Sequence, residues 1–401
     1  MRAYGRILRS PDMAPLFAWT VLARLPIGIN GLATVLFLQH ETGSFGVAGA
    51  VTGAEALGAG LGAPIAARLV DRFGKGVLLV FAVAHAAALG ALVALGYANA
   101  PAAALLAAGL LLGIALPPVS SVMRAMYPRL LREPALIQGA FALDSVLTET
   151  IFIAGPLITG ILVVVLEPAA ALAVSAVAVT TGTAMFLAAL PANERHTPPR
   201  GDDAAATSRL GALRSPGLRS LIASMLPVGF ALGALEVAIP AFAAHEGRPE
   251  LAGVLVAIWS LGSAAGGLVY GARPRESSLG AVHMRMALVL PLSMIPIVFA
   301  VSPISMAILV IPAGLFIAPL LASRNELAGH VAPPGAETEA LTWPLTAMVA
   351  GVALGAGVAG ILVDQIGWRA PVVVGVAAAA IGAAIAVARR RTLDEREPAV
   401  A

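Results

Sequence analysis

Long apolar runs recur along the whole chain and limit it to one kind of architecture. Each is about 20 residues, enough at roughly 1.5 Å per residue to cross about 30 Å of hydrocarbon. Twelve runs lie near 15–39, 46–68, 76–97, 101–123, 135–165, 168–190, 218–243, 250–271, 281–301, 304–322, 340–363 and 370–388. The runs do not alternate, and backbone groups in lipid must be paired internally. We therefore predict an all-α membrane protein with twelve transmembrane helices.

Composition excludes several other classes of protein. The chain is 59% hydrophobic and 12% charged, about half the charge of an ordinary soluble domain. It has no cysteine, so disulfides and thiolate metal sites are impossible. Its basic residues recur between apolar runs instead of forming one patch, which argues against nucleic acid as a partner. No Walker pattern or metal-ligand cluster is present, so we expect no cofactor and no enzyme activity.

Basic residues mark one side of the predicted membrane. With the N-terminus inside, 22 of the 25 fall in inner segments, Arg324 among them. Arg248 and Arg369 lie in outer loops, and Arg24 lies inside a span. Cytoplasmic loops are enriched in positive charge, so both termini are predicted to be cytoplasmic. Because Lys75 is the only lysine and Ala and Gly are abundant, which is typical of a GC-rich bacterial genome, we place this multi-pass chain in a bacterial inner membrane. We expect it to be a monomer.

A polar stretch divides the chain near its middle. Residues 191–215 hold the longest polar segment, which has little to bury and is predicted to be a flexible cytoplasmic linker. It separates an N-terminal six-helix bundle, residues 1–190, from a C-terminal six-helix bundle, residues 216–401, which ends in a short basic tail.

The two halves repeat each other at a nearly constant offset of 200 to 205 residues. Leu25-Pro-Ile-Gly28 recurs as Leu226-Pro-Val-Gly229, and Gly160-Ile-Leu162 recurs as Gly360-Ile-Leu362. Gly155 likewise recurs as Gly355. Matches in order at one offset indicate a duplicated unit, so the bundles are predicted to be related by a parallel pseudo-two-fold repeat.

The loop after the second predicted span carries a charged motif. It reads Ala67-Arg-Leu-Val-Asp71-Arg72-Phe-Gly74-Lys75-Gly76. Gly74 permits a tight turn between antiparallel helices. Except at its first and last positions, the motif is similar to the G-x-x-x-D-[RK]-x-G-[RK]-[RK] signature of the major facilitator superfamily. With six plus six helices and a parallel repeat, essentially the whole chain resembles that superfamily. The resemblance implies that Asp71 and Arg72 form a cytoplasmic latch; plain marking of topology is the alternative.

A second motif lies in the fifth predicted span. Gly155-Pro156-Leu-Ile-Thr-Gly160 resembles the G-P-x-x-G-G element of antiporter branches, with Thr159 replacing one glycine. This similarity implies a branch that exports drugs against protons. A further signature of the family, an arginine inside span four followed by Gln-Gly, is missing, because Arg124 lies at the inner end of that helix.

Ionisable residues inside spans are the strongest functional signal, because each costs a few kcal/mol near mid-bilayer unless it faces a cavity or a partner. The candidates for proton coupling or for lining a substrate cavity are Arg24, Asn30, Glu55, Asp144, Glu149 and Glu236. By depth, Arg24 is predicted to pair with Asp144 or Glu55. Glu149 or Glu236 is predicted to be the carboxylate that binds and releases a proton. Structural ion pairs that set helix register are the alternative.

These residues predict a secondary active transporter. A lining rich in Ala, Leu, Val and Gly suits an amphiphile better than a sugar, so the leading hypothesis is proton-coupled efflux of a small amphiphilic or hydrophobic compound by alternating access. The partners are then the solute, protons and the bilayer. An importer or facilitator of a small anionic metabolite held by Arg24 is a second hypothesis. A receptor or assembly protein without transport activity is the third.

Overall fold

The computed structural model describes residues 7, 10, 13–131, 133–191, 212–272, 278–332 and 337–394, and within these ranges it contains helices and no strand. The helices of the first half are α1 (Met13–Thr42), α2 (Phe45–Phe73), α3 (Val77–Tyr97), α4 (Ala102–Ile114), α5 (Val119–Leu130), α6 (Pro134–Val165) and α7 (Pro168–Ala189). Those of the second half are α8 (Pro216–His245), α9 (Leu251–Ala272), α10 (Leu279–Met294), α11 (Pro303–Leu315), α12 (Ile317–His330), α13 (Glu337–Gln365), α14 (Arg369–Ala388) and α15 (Arg390–Asp394). Short 3₁₀ turns occupy Ala212–Arg214 and Ile295–Phe299.

Eleven helical segments in the described ranges are long and apolar enough to cross a membrane. They coincide with eleven of the twelve predicted runs, so the chain is a multi-pass helical membrane protein. The twelfth run corresponds to α2, which is 29 residues long. Its many glycines and Glu55 make it less apolar than the other eleven. The count of twelve spans and the side on which the termini lie stay predictions.

One span in each half is built from two helices. The segment Ala102–Tyr127 contains α4 and α5, and the segment Pro303–His330 contains α11 and α12. Pro117 and Pro118 interrupt the first and Pro319 follows the break at Phe316 in the second. Proline lacks the N–H that continues the helical ladder and disfavours helix in the residue before it. The continuous helices expected over these two runs are therefore corrected to broken ones.

The chain forms two compact units. Unit 1 comprises Met1–Thr42 and Leu57–Gly201, and unit 2 comprises Gly43–Ala56 and Asp202–Ala401. Helix α2 is thus divided between the units at Ala56. In unit 1, α1 packs against α6 and α7; in unit 2, α8 packs against α13 and α14. Of the predicted linker, residues 192–211 lie outside the described part of the chain.

Glycines allow the closest helix crossings in both units. A Cβ on Gly155 would collide with the backbone of Gly28, where α6 crosses α1. In unit 2, a Cβ on Gly355 would collide with the backbone of Phe230, and one on Gly229 with that of Met348, where α13 crosses α8. Small residues let membrane helices approach this closely. Gly155 and Gly355 therefore occupy corresponding packing positions in the two units.

Within unit 2, Asp364 of α13 caps the first turn of α2. Its carboxylate accepts hydrogen bonds from the backbone N–H groups of Phe45 (2.9 Å) and Gly46 (2.8 Å) and from the hydroxyl of Ser44 (2.6 Å). A carboxylate at this position satisfies amides that have no partner inside the helix and complements the positive end of its dipole. The beginning of α2 is therefore attached to the end of α13.

Candidate functional site

A buried ion cluster joins three helices of unit 1. Asp144 on α6 accepts a hydrogen bond from Nη1 of Arg24 on α1 at 2.6 Å, and another from Nε of Arg124 on α5 at 2.7 Å. The side chains of Arg24 and Asp144 are 5% and 1% exposed, whereas that of Arg124 is 47% exposed. Of the two partners predicted for Arg24, the structure places Asp144 against it. One carboxylate shared by two guanidinium groups leaves the cluster with a net positive charge.

Thr148 completes the cluster one helical turn after Asp144. Its hydroxyl accepts a hydrogen bond from Nη2 of Arg24 at 2.5 Å and donates one to the carbonyl oxygen of Asp144 at 2.8 Å. Buried ionic groups are tolerated when their remaining hydrogen-bonding atoms are also satisfied. In the described part of the chain, Nε of Arg24 alone among its nitrogens has no partner.

Arg124 was not expected in this cluster, because the sequence places it at the inner end of a span. Only residues 131–133 separate α5 from α6, so the two helices return past each other. Reading them as a hairpin would have placed Arg124 near Asp144. Its pairing means that the cluster reaches from the buried interior to a half-exposed side chain.

Asn30 lies in a separate polar network of unit 1. Its side chain accepts a hydrogen bond from Ser175 (2.5 Å) and its amide nitrogen lies 3.1 Å from Nε2 of His85. Nδ1 of His85 lies 2.9 Å from the carbonyl oxygen of Leu112. That carbonyl only accepts, so His85 donates from Nδ1 and its Nε2 accepts from Asn30. Asn30 is 3% exposed, and its network of hydrogen bonds links α1, α3, α4 and α7. Its predicted role in lining a cavity is not tested by the structure.

The remaining acidic candidates are half-buried. Glu149 on α6 belongs to unit 1, whereas Glu55 on α2 and Glu236 on α8 belong to unit 2. Neither Glu149 nor Glu236 forms a hydrogen bond or ion pair with another described side chain. Asp144 differs in this respect, because it forms ion pairs with both Arg24 and Arg124.

Unit 2 contains a buried cation that sequence reasoning assigned to a loop. Arg324 lies inside α12, within the candidate span Pro303–His330, and is 6% exposed. Its Nε and Nη2 both donate to Oδ1 of Asn325, at 3.1 and 2.7 Å, and Nη1 faces Sδ of Met348 at 3.4 Å. No described carboxylate lies within salt-bridge distance of Arg324. The assignment of Arg324 as an inner loop charge is corrected accordingly.

The charged loop motif forms the tight turn that its glycine predicts. Gly74 has φ +87°, and its N–H donates to the carbonyl of Val70 at 2.8 Å, which ends α2. A glycine in this conformation is a standard helix C-cap. Arg72 is exposed and its guanidinium lies 5.2 Å from the ring centre of Phe73. Lys75 is half-buried in the turn, and the side chain of Asp71 lies outside what the structure describes.

The span-five motif lies where α6 crosses α1. Gly155, Pro156 and Gly160 are all buried in α6. Thr159 donates from its hydroxyl to the carbonyl of Gly155 at 3.0 Å. Gly155 permits the close approach to Gly28, and Pro156 removes one backbone donor from the helix. The motif therefore has a packing role in the structure, and its predicted functional role is not tested by it.

The described spans form a multi-pass helical bundle with glycine-lined crossings and buried charges, and charges inside spans are typical of the pathways of membrane transport proteins. The family model for the Major Facilitator Superfamily matches residues 16–275, and the chain belongs to this superfamily. No curated protein matches the chain. The family and fold are those of transporters, and no catalytic family is indicated.

Solved structures share the fold at low sequence identity. A point mutant of the nucleoside transporter NupG has a TM-score of 0.78 and 15% identity over 94% of this chain and 99% of that chain. The POT family transporter PepTSo has a TM-score of 0.70 and 13% identity over 98% and 97% of the two chains. The human organic anion transporter MFSD10 has a TM-score of 0.60 and 17% identity over 96% and 99%. These likenesses establish the architecture alone.

Proposed function

We propose that the protein is a secondary active transporter that exports a small amphiphilic compound in exchange for protons by alternating access. Two carboxylates carry the proposal. Glu149 and Glu236 lie inside candidate spans and have no cationic partner among the described side chains. An ionised carboxylate in apolar surroundings is costly unless it is paired. A group in this situation can exchange a proton with solution as its surroundings change, which proton coupling requires.

The ion cluster has a different role in this proposal. Asp144 accepts hydrogen bonds from Arg24 at 2.6 Å and from Arg124 at 2.7 Å. The three residues therefore supply a stable ionic joint between α1, α5 and α6. Because Arg24 is already held by Asp144 and Thr148, it is a poor candidate for binding an anionic metabolite. Import or facilitated movement of such a metabolite remains the second candidate, and it is favoured by Arg324 instead.

The topology belongs to the same proposal. We infer twelve spans in two six-helix bundles, residues 1–190 and 216–401, with both termini cytoplasmic in a bacterial inner membrane. The charged loop between α2 and α3 then lies on the cytoplasmic side, where Asp71, Arg72 and Lys75 act as a latch. Labelling of single cysteines is direct, because the chain has none of its own. In intact cells, an impermeant maleimide should react with a cysteine placed at position 248 and not with one placed at position 75. The opposite labelling pattern would contradict this orientation.

Flux in proteoliposomes tests the proton coupling. Uptake of a lipophilic fluorescent cation and of octane-1-sulfonate, a permanent anion, is measured with and without an imposed pH gradient. We expect accumulation of one probe that collapses with the gradient. Glu149→Gln or Glu236→Gln should abolish this accumulation yet retain exchange of solute at equal pH, since exchange needs no net proton movement.

A matched control separates coupling from a general loss of charge. Glu250 lies outside the spans, where it pairs with Arg248 at 3.3 Å, so Glu250→Gln should transport like the parent protein. Gradient-driven accumulation that survives in both Glu149→Gln and Glu236→Gln would refute the carboxylate mechanism. Absence of gradient-dependent flux of either probe in folded protein would refute proton-coupled export of amphiphiles.

A further inference from the structure

The two halves repeat in packing but not in charge. Arg124 and Arg324 are 200 residues apart, the same offset that relates Gly155 to Gly355 on the helices they pack against. At that offset Asp144 corresponds to Pro344, and the neighbouring offset of 201 aligns Arg24 with Met225. The arginine of α5 therefore has its counterpart in α12, while its carboxylate partner has none.

The cation of unit 2 is also the more deeply buried of the two. Arg124 is 47% exposed and is paired with a carboxylate, whereas Arg324 is 6% exposed. Among the described side chains the acceptors around Arg324 are one amide oxygen and one thioether sulfur, and sulfur is a weak acceptor. Buried guanidinium groups are normally paired with carboxylates. Among the side chains that the structure describes, none within salt-bridge distance of Arg324 carries a negative charge.

A buried imidazole on α10 contacts the residue that precedes Arg324. His283 on α10 is fully buried, and its Nδ1 lies 3.0 Å from the hydroxyl of Ser323, the residue before Arg324. Ser323 donates its own proton to the carbonyl of Leu320 at 2.8 Å, so it accepts from His283. Nε2 of His283 has no hydrogen-bond partner in the described part of the chain. Because Nδ1 carries the proton, the Nε2 of neutral His283 is a buried acceptor, and the ring links α10 to the turn of α12 that carries Arg324.

We propose that Arg324 binds the anionic head group of the transported amphiphile, and that this head group takes the place that Asp144 occupies in unit 1. The proposal rests on the function proposed above and names the charge of its solute. Nη1 of Arg324, now facing Met348, is the donor that the head group engages. His283, whose Nδ1 donates to Ser323, has an accepting Nε2 and no donor left for the head group, so the negative charge is held by Arg324. A carboxylate, sulfonate or phosphate monoester suits a guanidinium donor.

Thermal unfolding of the purified full chain tests binding without any transport. The ligand is octane-1-sulfonate, and the matched ligand is octane-1-sulfonamide, which has the same chain and no charge. Melting temperatures in chloride and in gluconate salts are compared to test whether a simple inorganic anion binds. We expect the sulfonate alone to raise the melting temperature, by about 3 °C at saturating concentration.

Three variants make the result specific. Arg324→Gln removes the cation, and Met348→Glu supplies a built-in carboxylate at the atom that Arg324 already faces. Both should lose the shift caused by the sulfonate, and Met348→Glu should melt at or above the temperature of the parent protein without ligand. Arg248→Gln, which removes an exposed arginine, should keep the shift.

Several outcomes overturn the proposal. Equal shifts with the sulfonate and the sulfonamide would show that the alkyl chain binds and the charge does not matter. A shift with chloride alone would mean an inorganic anion site. An undiminished shift in Arg324→Gln, or no shift in the parent protein, would remove Arg324 as the receptor. Any of these binding results would refute the inference about Arg324. If the cationic probe nevertheless shows gradient-driven flux in proteoliposomes, proton-coupled export still stands.

Discussion

Substitution of Asp144 by asparagine should destabilise the protein strongly, because it leaves Arg24 charged and buried without its counter-ion. The side chains of Arg24 and Asp144 are 5% and 1% exposed. Removing one member of a buried pair typically costs about 3–5 kcal/mol. Arg124 also loses its partner, but at 47% exposure water screens it and its loss adds at most about 1 kcal/mol.

This magnitude corresponds to a large change in melting temperature. At roughly 2–4 °C per kcal/mol for units of this size, Asp144→Asn should melt about 6–20 °C below the parent protein. Thermal unfolding in dodecyl maltoside, followed by tryptophan fluorescence, measures it. Arg124→Gln is the matched variant on the exposed side of the same carboxylate and should lower the melting temperature by only a few degrees.

A double variant tests the physical reason. Arg24→Met combined with Asp144→Asn removes the stranded charge, so it should recover roughly half or more of the loss seen in Asp144→Asn alone. Additive losses in the double variant would contradict the reasoning, since they would mean that Arg24 contributes independently of its carboxylate. Equal losses in Arg124→Gln and Asp144→Asn would contradict it as well.

Three further predictions concern packing, capping and the polar network. Gly155→Ala should lower the free energy of unfolding by about 1–3 kcal/mol by forcing α6 away from α1, whereas Gly31→Ala, whose Cβ would meet nothing within 4 Å, should not lower it. Equal melting temperatures of the two variants would disprove the close crossing. Asp364→Ala should weaken the first turn of α2 by about 0.5–2 kcal/mol, seen as faster hydrogen exchange of the amides at 45–46, and unchanged exchange would mean that the cap contributes nothing. Asn30→Leu should cost about 1–3 kcal/mol in thermal unfolding, because Nε2 of His85 and the hydroxyl of Ser175 lose their partner; a neutral result would show that water replaces the amide.

The sequence predicted the spans well because membrane insertion leaves a long-range signal. Runs such as 168–190 and 370–388 correspond to helices Pro168–Ala189 and Arg369–Ala388, since both the length and the apolar character are imposed by the bilayer. The breaks inside two spans were missed. Proline is tolerated in many membrane helices, as Pro26 in α1 demonstrates, so its presence alone does not identify where a helix ends.

Partners of polar side chains were predicted less well. The Arg24–Asp144 pair followed from similar depths in their spans. Asn30 was predicted to line a cavity because it lies in span one, and that cavity role stays a prediction. Its partners were not predicted, because position in a span says nothing about direction around the helix; in the structure it contacts His85 and Ser175. Rotation about the helix axis depends on packing of all neighbouring helices, which one sequence without its tertiary contacts does not specify.

The misassignment of Arg324 has a more instructive cause. Counting arginines treats each one as a loop charge, and Arg124 and Arg324 both lie in the last turns of their candidate spans. The repeat held the information that distinguishes them: at one offset Asp144 aligns with Pro344, so the carboxylate that pairs with Arg124 has no counterpart at the aligned position of the second half. Glycines recur at that offset because two helices can cross closely only where side chains are absent. Charges are under no such geometric constraint, so the two halves differ in them, and that difference is where a duplicated bundle can acquire a binding site on one side only.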